Sequence, residues 1–281
     1  MIASVSRKVS SWIGGRLSIF AAAQFALAAA VSAQEEPVGG EIHEREELGV
    51  NAYTAPSIAR IFQQLDKLSP LSFEQLRRPL PESLGRSREE KALIFGELIA
   101  DGFLVVEAQR KNVVDDFGRV LLREARALGV AERVTRHSAS LTERGRGGDW
   151  AGVRQELIAT QQDVEQALIE LRDQNIAHLI SLGGWLRGLE LSSGAVAANF
   201  SPSRAKVLAE PELVDYFGAE LKTLPPSLAH EPLFEKIRGG VGAIQAKLNQ
   251  SSGELTLADV QAIHSQAADL NTAIREPGGG S

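Results

Sequence analysis

No proline interrupts the chain between Pro81 and Pro202, and across that stretch apolar residues return every three or four positions. A proline ring clashes with the helical turn behind it and lacks an amide proton. A long proline-free run with this period therefore reads as helix. Ser87-Arg88-Glu89-Glu90 opens the run as a capping box, with the serine oxygen placed to accept from the third helical amide. Phe95, Leu98, Phe103, Val106, Val113, Phe117, Leu121 and Leu128 then step along one stripe as far as Gly129, a residue suited to ending a helix. The spacing predicts one helix of about 40 residues, about 60 Å long.

A shorter helix over about 131–143 follows, and Gly145, Gly147 and Gly148 separate it from a second long one capped by Asp149. There Trp150, Val153, Leu157, Thr160, Val164, Leu168, Leu171, Asn175, His178, Leu182, Trp185 and Leu189 keep the same alternation. Sustained spacing of this kind makes a seam like that of bundles and coiled coils. Two such helices need each other's apolar stripe. The expected fold is all-α: an elongated antiparallel helical bundle on two helices of about 40 residues, with shorter C-terminal helices over about 203–209, 211–222, 232–249 and 257–275. Pro202, Pro211 and Pro232 fall where a first helical turn tolerates proline, and Thr256 is a good N-cap. Upstream, Ile58, Ile61, Phe62, Leu65 and Leu68 predict a helix from Thr54. Pro70, Pro79, Pro81 and Gly85 make 70–86 a connector with one helical turn at about 72–78.

The ends read differently. Arg7, Lys8 and Arg16 precede an apolar run from Ile19 to Val31, and Val31-Ser32-Ala33 supplies the small residues a signal peptidase needs. Residues 1–33 are expected to be a secretory signal, with an uncleaved segment the one route to a membrane. Its removal takes three positive charges and leaves 27 basic against 36 acidic residues, a net of −9. Six glutamates mark 34–53 as an acidic flexible leader, 54–276 forms a single helical domain, and 277–281 is a flexible tail. The chain has no cysteine, which excludes disulfide scaffolds, Cys-based zinc sites and thiol nucleophiles. A cysteine-free exported chain fits a bacterial envelope, so the expected location is periplasmic or secreted. Negative charge in that compartment argues against nucleic acid.

Motifs for chemistry are lacking. None of His43, His137, His178, His230 and His264 belongs to a His-Glu-x-x-His or Glu-x-x-His pattern, so no metal is expected. No Gly-x-Ser-x-Gly occurs. Arg238-Gly-Gly-Val-Gly242 has no Gly-Lys-Ser/Thr after it, and its glycines read as sites of close helix approach, as do those of Gly183-Gly184-Trp185-Leu186-Arg187-Gly188. No catalytic residue and no cofactor are expected. Arg119, Arg123, Arg126, Arg133, Arg136, Arg144 and Arg146 face only three glutamates over the same stretch. They are candidates for docking an envelope protein or anionic polymer, with a homo-oligomer also open. The leading expectation is thus a non-enzymatic envelope protein that binds or scaffolds macromolecules through helix faces. The alternative is a small-ligand-binding or sensor bundle with a pocket near Trp185 and His178. The residues for that alternative are Asn175, His178 and Trp185. Read structurally, Asn175 and His178 would instead form a buried polar layer that sets helix register.

Overall fold

The computed structural model describes residues 59–82, 87–250 and 254–276. The signal segment, the acidic leader, the tail and the start of the first helix lie outside the described residues. Within them the chain is helical and contains no strand. The order is α1 (Ala59–Lys67), α2 (Phe73–Leu76), α3 (Arg88–Glu107), α4 (Lys111–Ala127), α5 (Ala131–Gly147), α6 (Trp150–Glu170) and α7 (Gln174–Ala198). After these come α8 (Pro202–Ala205), a 3-10 turn over Lys206–Leu208, α9 (Pro211–Thr223), α10 (Pro226–Ala229), α11 (Pro232–Gln250) and α12 (Leu257–Arg275). Caps expected from sequence are in place. Ser87 Oγ accepts from the Glu90 amide at 3.1 Å and Asp149 Oδ1 from the Gly152 amide at 2.9 Å. Thr256 and Asp259 close a full capping box.

The two helices of about 40 residues do not exist; each is two helices joined by a tight turn. Among the described residues the longest helix, α7, has 25 residues. Gln109, at φ 52°, ends α3, and Arg172, at φ 58°, ends α6. Both turns close identically: the amide of the left-handed residue donates to a carbonyl three back, and the next amide to one five back. The bonds are Gln109 to Val106 and Arg110 to Val105, then Arg172 to Ile169 and Asp173 to Leu168. Gly129 and Gly148 make the same double bond at the ends of α4 and α5. All four turns are Schellman motifs. Two carry glycine and announce themselves; the other two carry Gln and Arg, and the apolar period runs on through them.

Four reversals in succession give α3 and α7 the same direction, which corrects the antiparallel spine. Arg88 pairs with Asp173, Gly183 abuts Leu93, and Arg187 pairs with Asp101, so numbers rise together along both helices. Besides α6, an antiparallel neighbour of α7 is α12, where His264 reaches the Glu190 carbonyl and Asn271 that of Leu186. At the α3–α7 crossing the backbones touch. A Cβ on Gly96 would lie 1.8 Å from the Ile180 carbonyl oxygen, and one on Gly183 would lie 2.1 Å from that of Leu93. The close approach expected of the 183–188 glycines thus occurs, with Gly96 as its counterpart. In the 238–242 segment Gly240 meets the Leu270 side chain, whereas Gly239 and Gly242 have nothing within 4 Å.

Because α4, α6, α7 and α12 surround it, α3 is buried on every side from Ala92 to Val106. A helix apolar all round is a central one. Phe95, Leu98, Ile99 and Phe103 meet Ile180, Leu186 and Leu191 of α7 in one core that continues through Phe217 and Phe234 to Ile263 and Leu270. No described helix is long and apolar enough to cross a membrane.

Candidate functional site

Centrality has a consequence for the two acids of α3, Glu97 and Asp101. Both are buried, and arginines from three other segments converge on them. Asp101 Oδ1 accepts from Arg187 Nε at 2.7 Å, and its Oδ2 accepts from Arg78 Nε at 2.9 Å and Arg275 Nη2 at 3.1 Å. Glu97 crowds its bonds on one oxygen: Oε2 accepts from Arg275 Nε at 2.9 Å and Arg78 Nη2 at 3.0 Å, while Oε1 is buried with no partner. Glu190 completes the cluster, 2.8 Å from Arg187 Nη1 and 2.7 Å from Asn271 Nδ2. Three guanidiniums thus balance three carboxylates.

The two α3 acids respond oppositely. Burial raises a carboxyl pKa, and for Asp101 the charges of Arg187, Arg78 and Arg275 overcome it and hold the group down to about 2. For Glu97 burial prevails over Arg78 and Arg275, so its pKa is raised. The difference follows from charge: Asp101 has a third guanidinium, Arg187, and its own carboxylate pushes Glu97 further up.

Two of the same arginines, with Arg123, hold the end of α2 and the connector after it. An extended, proline-rich segment has carbonyls with no helical partner, and each needs a donor. Arg187 Nη2 donates to Leu76 at 2.6 Å, Arg275 Nη1 to Pro79 at 2.8 Å and Arg123 Nη2 to Pro81 at 2.5 Å. So fixed, α2 and the connector stand off the α3–α4 hairpin and leave a cleft of about 340 Å³. Its walls are apolar, from Phe73, Leu80, Leu104, Val105, Val113 and Phe117. Arg78 and Asp101 line it from the buried cluster, and Glu74, Arg77, Arg110, Asn112 and Asp116 add polar groups. Arg110 lies over the Phe73 ring, 4.9 Å from its centroid, and its Nη2 donates to Glu74 at 3.1 Å. Nothing in the sequence alone pointed here, because the lining comes from 73–80 and 101–117 and is assembled by arginines up to 196 residues away.

The arginines singled out from sequence are spread over several faces. Arg119 pairs with Asp116, Arg123 with Glu124 at 2.7 Å, Arg133 with Glu170 at 2.6 Å and Arg136 with Asp163 at 3.3 Å. Arg144 reaches Asp149 at 2.6 Å and Arg146 reaches Asp115 at 2.5 Å. Arg126 is exposed and has no ion pair among the described residues. Apart from Arg123, whose partner Glu124 is buried, these are surface pairs, and such pairs contribute little to stability.

Asn175, His178 and Trp185 are not brought together as a layer. Asn175 is exposed, which corrects the buried-register reading, and His178 is half-buried with Nδ1 2.8 Å from the Tyr216 hydroxyl. Trp185 is buried and stacks on Phe217 at 4.9 Å between centroids. Asn175 and His178 line a groove of about 20 Å³ with Leu179, Leu182 and Leu221. That is room for about one water molecule. His178 Nδ1 also lies 3.8 Å from Glu220 Oε2, but the histidine held by two acids is buried His137, 2.6 Å from Glu156 Oε1 and 2.9 Å from Asp163 Oδ2, clamping α5 to α6. Among the described residues no cluster of His, Asp and Glu has the form of a metal site. No family model matches this chain, nor does any curated protein or solved structure.

Proposed function

We propose that this chain is an exported, non-enzymatic helical protein of the bacterial envelope that holds a partner or ligand in the cleft between α2 and the α3–α4 hairpin. One observation carries the reading: here apolar walls stand beside guanidinium groups that still have donors to give. Most of the arginines of the 119–146 stretch are engaged with carboxylates of this chain, and the His178 groove holds about one water. The cleft, about 340 Å³, is at the small end of the roughly 300–1,000 Å³ usual for binding pockets, and a hollow of about 400 Å³ on the arginine-rich stretch is lined by Glu132, Arg133, Arg136 and Asp163, with no apolar side chain. Export rests on the sequence of residues 1–33, and N-terminal sequencing of the host-made protein is expected to begin at Gln34.

The test is native mass spectrometry and affinity capture with the protein from its own host, beside a Val113→Trp variant that fills the cleft. Loss of the captured species in the variant is the expected result. Capture that survives Val113→Trp but disappears on reversing Arg133 and Arg136 would return the function to the arginine-rich helix faces.

A further inference from the structure

We infer that the α2–α3–α4 cleft takes a small amphipathic monocarboxylate, an apolar body carrying one anionic head. This inference rests on the binding reading above and names the ligand's chemistry. Its basis is an inventory of donors and acceptors around the cleft. The acids lining it are already engaged. Asp101 accepts on both oxygens, from Arg187 on one and from Arg78 and Arg275 on the other. Glu74 also accepts on both, from Arg77 Nε at 2.7 Å and Arg110 Nη2 at 3.1 Å, and Asp116 is paired with Arg119.

The donors are not exhausted. Arg78 spends Nε and Nη2 on Asp101 and Glu97, which leaves Nη1 without an acceptor among the described residues. Arg77 spends only Nε, and Arg110 spends only Nη2, with its Nε shielded and unpartnered. Asn112 adds an amide with no side-chain bond among the described residues. Formal charge around the cleft is balanced, with three arginines and three acids. Hydrogen-bonding capacity is not: the three arginines bond to no acid outside the cleft and its cluster, while Asp101 is engaged in part by Arg187 and Arg275 from beyond the lining. The surplus is of N–H groups, and a planar guanidinium fork matches a carboxylate. In the same cleft Leu80, Leu104, Val105, Val113 and Phe117 offer apolar surface that a hydrated inorganic anion would leave uncovered. Head and body are therefore both specified. A cationic ligand is disfavoured because each of the three acids already faces a guanidinium of this chain, and Asp101 faces three.

The experiment is calorimetric titration of the full chain with octanoate below its micellar range, with octylammonium and 1-octanol as probes of equal length. Saturable octanoate binding is expected, weakened at least tenfold by Arg110→Gln and abolished by Val113→Trp, with neither control binding comparably. Arg110 is half-exposed and outside the core, so its variant is expected to fold, and circular dichroism checks both. No saturable octanoate binding overturns the inference, as does octanoate binding that both variants retain. Should octylammonium or octanol bind as well as octanoate and lose binding in Val113→Trp, the ligand class assigned here is wrong while the cleft remains a binding site. Failure of the cleft itself shows differently, as capture from the host that Val113→Trp leaves unchanged.

Discussion

Glu165 is buried between α6 and α7 and has no ion pair among the described residues; Gln161 Nε2 at 2.6 Å and Ser181 Oγ at 3.1 Å both donate to its Oε1. Two neutral donors do not compensate for lost water, and burial pushes its pKa from 4.5 up to about 7. The folded chain therefore takes up a proton between those values. Stability contributed by this proton is fully present below pH 4.5 and is lost as pH rises through 7, leaving a penalty of about 3 kcal/mol above it. Glu165→Gln keeps the accepting oxygen and removes the charge. Urea unfolding at pH 8 is expected to show the variant stabilised by up to about 3 kcal/mol, and at pH 4.5 the two proteins should coincide. An equal gain at both pH values would mean that packing, not charge, explains the change.

At the scale of the helix, the four Schellman turns differ only in the residue forced to positive φ. An L-residue there costs about 1–2 kcal/mol relative to glycine. Gln109 and Arg172 are both exposed, so Gln109→Gly and Arg172→Gly are each expected to stabilise by about 1 kcal/mol. Gly129→Ala should destabilise by a similar amount although its Cβ meets nothing within 4 Å. Helix-interior glycines behave by contact instead. Gly183→Ala drives a methyl against the Leu93 carbonyl and must part α3 from α7, an overpacking cost of about 3 kcal/mol or more. Gly239→Ala, into open space, should gain about 0.5–1 kcal/mol from helix propensity. Thermal melts of this pair separate the two effects, and a mild Gly183→Ala would contradict the backbone contact.

For the whole molecule, the decisive feature is that Arg275, at the end of the last helix, closes on Glu97 and Asp101 of the central one. Breaking a buried pair by removing one partner costs about 3–5 kcal/mol, and Arg275 is 18% exposed, so Arg275→Met is expected near the lower figure. The loss should come with faster proteolysis between α11 and α12. Acid supplies the complementary test. Asp101 contributes about 2 kcal/mol above pH 3.8, lost as pH falls through about 2. The acid transition of Arg275→Met should accordingly begin at higher pH than that of the parent chain, as followed by tryptophan fluorescence.

Helical periodicity, the proline-free run and the caps at Ser87, Asp149 and Thr256 were decided locally, because they depend on neighbours within one turn, and they made the all-α class and most helix starts legible. Helix ends at Gln109 and Arg172 were not. A left-handed residue with a side chain leaves no trace in composition, and the stripe of α3 continues in phase into α4. The direction of α7 against α3 was lost for another reason: two missed reversals cancel in parity, and the antiparallel expectation rested on the matched length of two long helices that do not exist. The cleft and its cluster lay further out of reach. Which of 30 lysines and arginines becomes buried, as Arg187 does, depends on partners 86 residues away in the chain. Asn175 and His178 show the same limit from the other side: the period that placed them on a seam was real, but the seam faced solvent and Tyr216 there. Period reports which residues share a face of a helix, and only the packing of the other helices determines what that face meets.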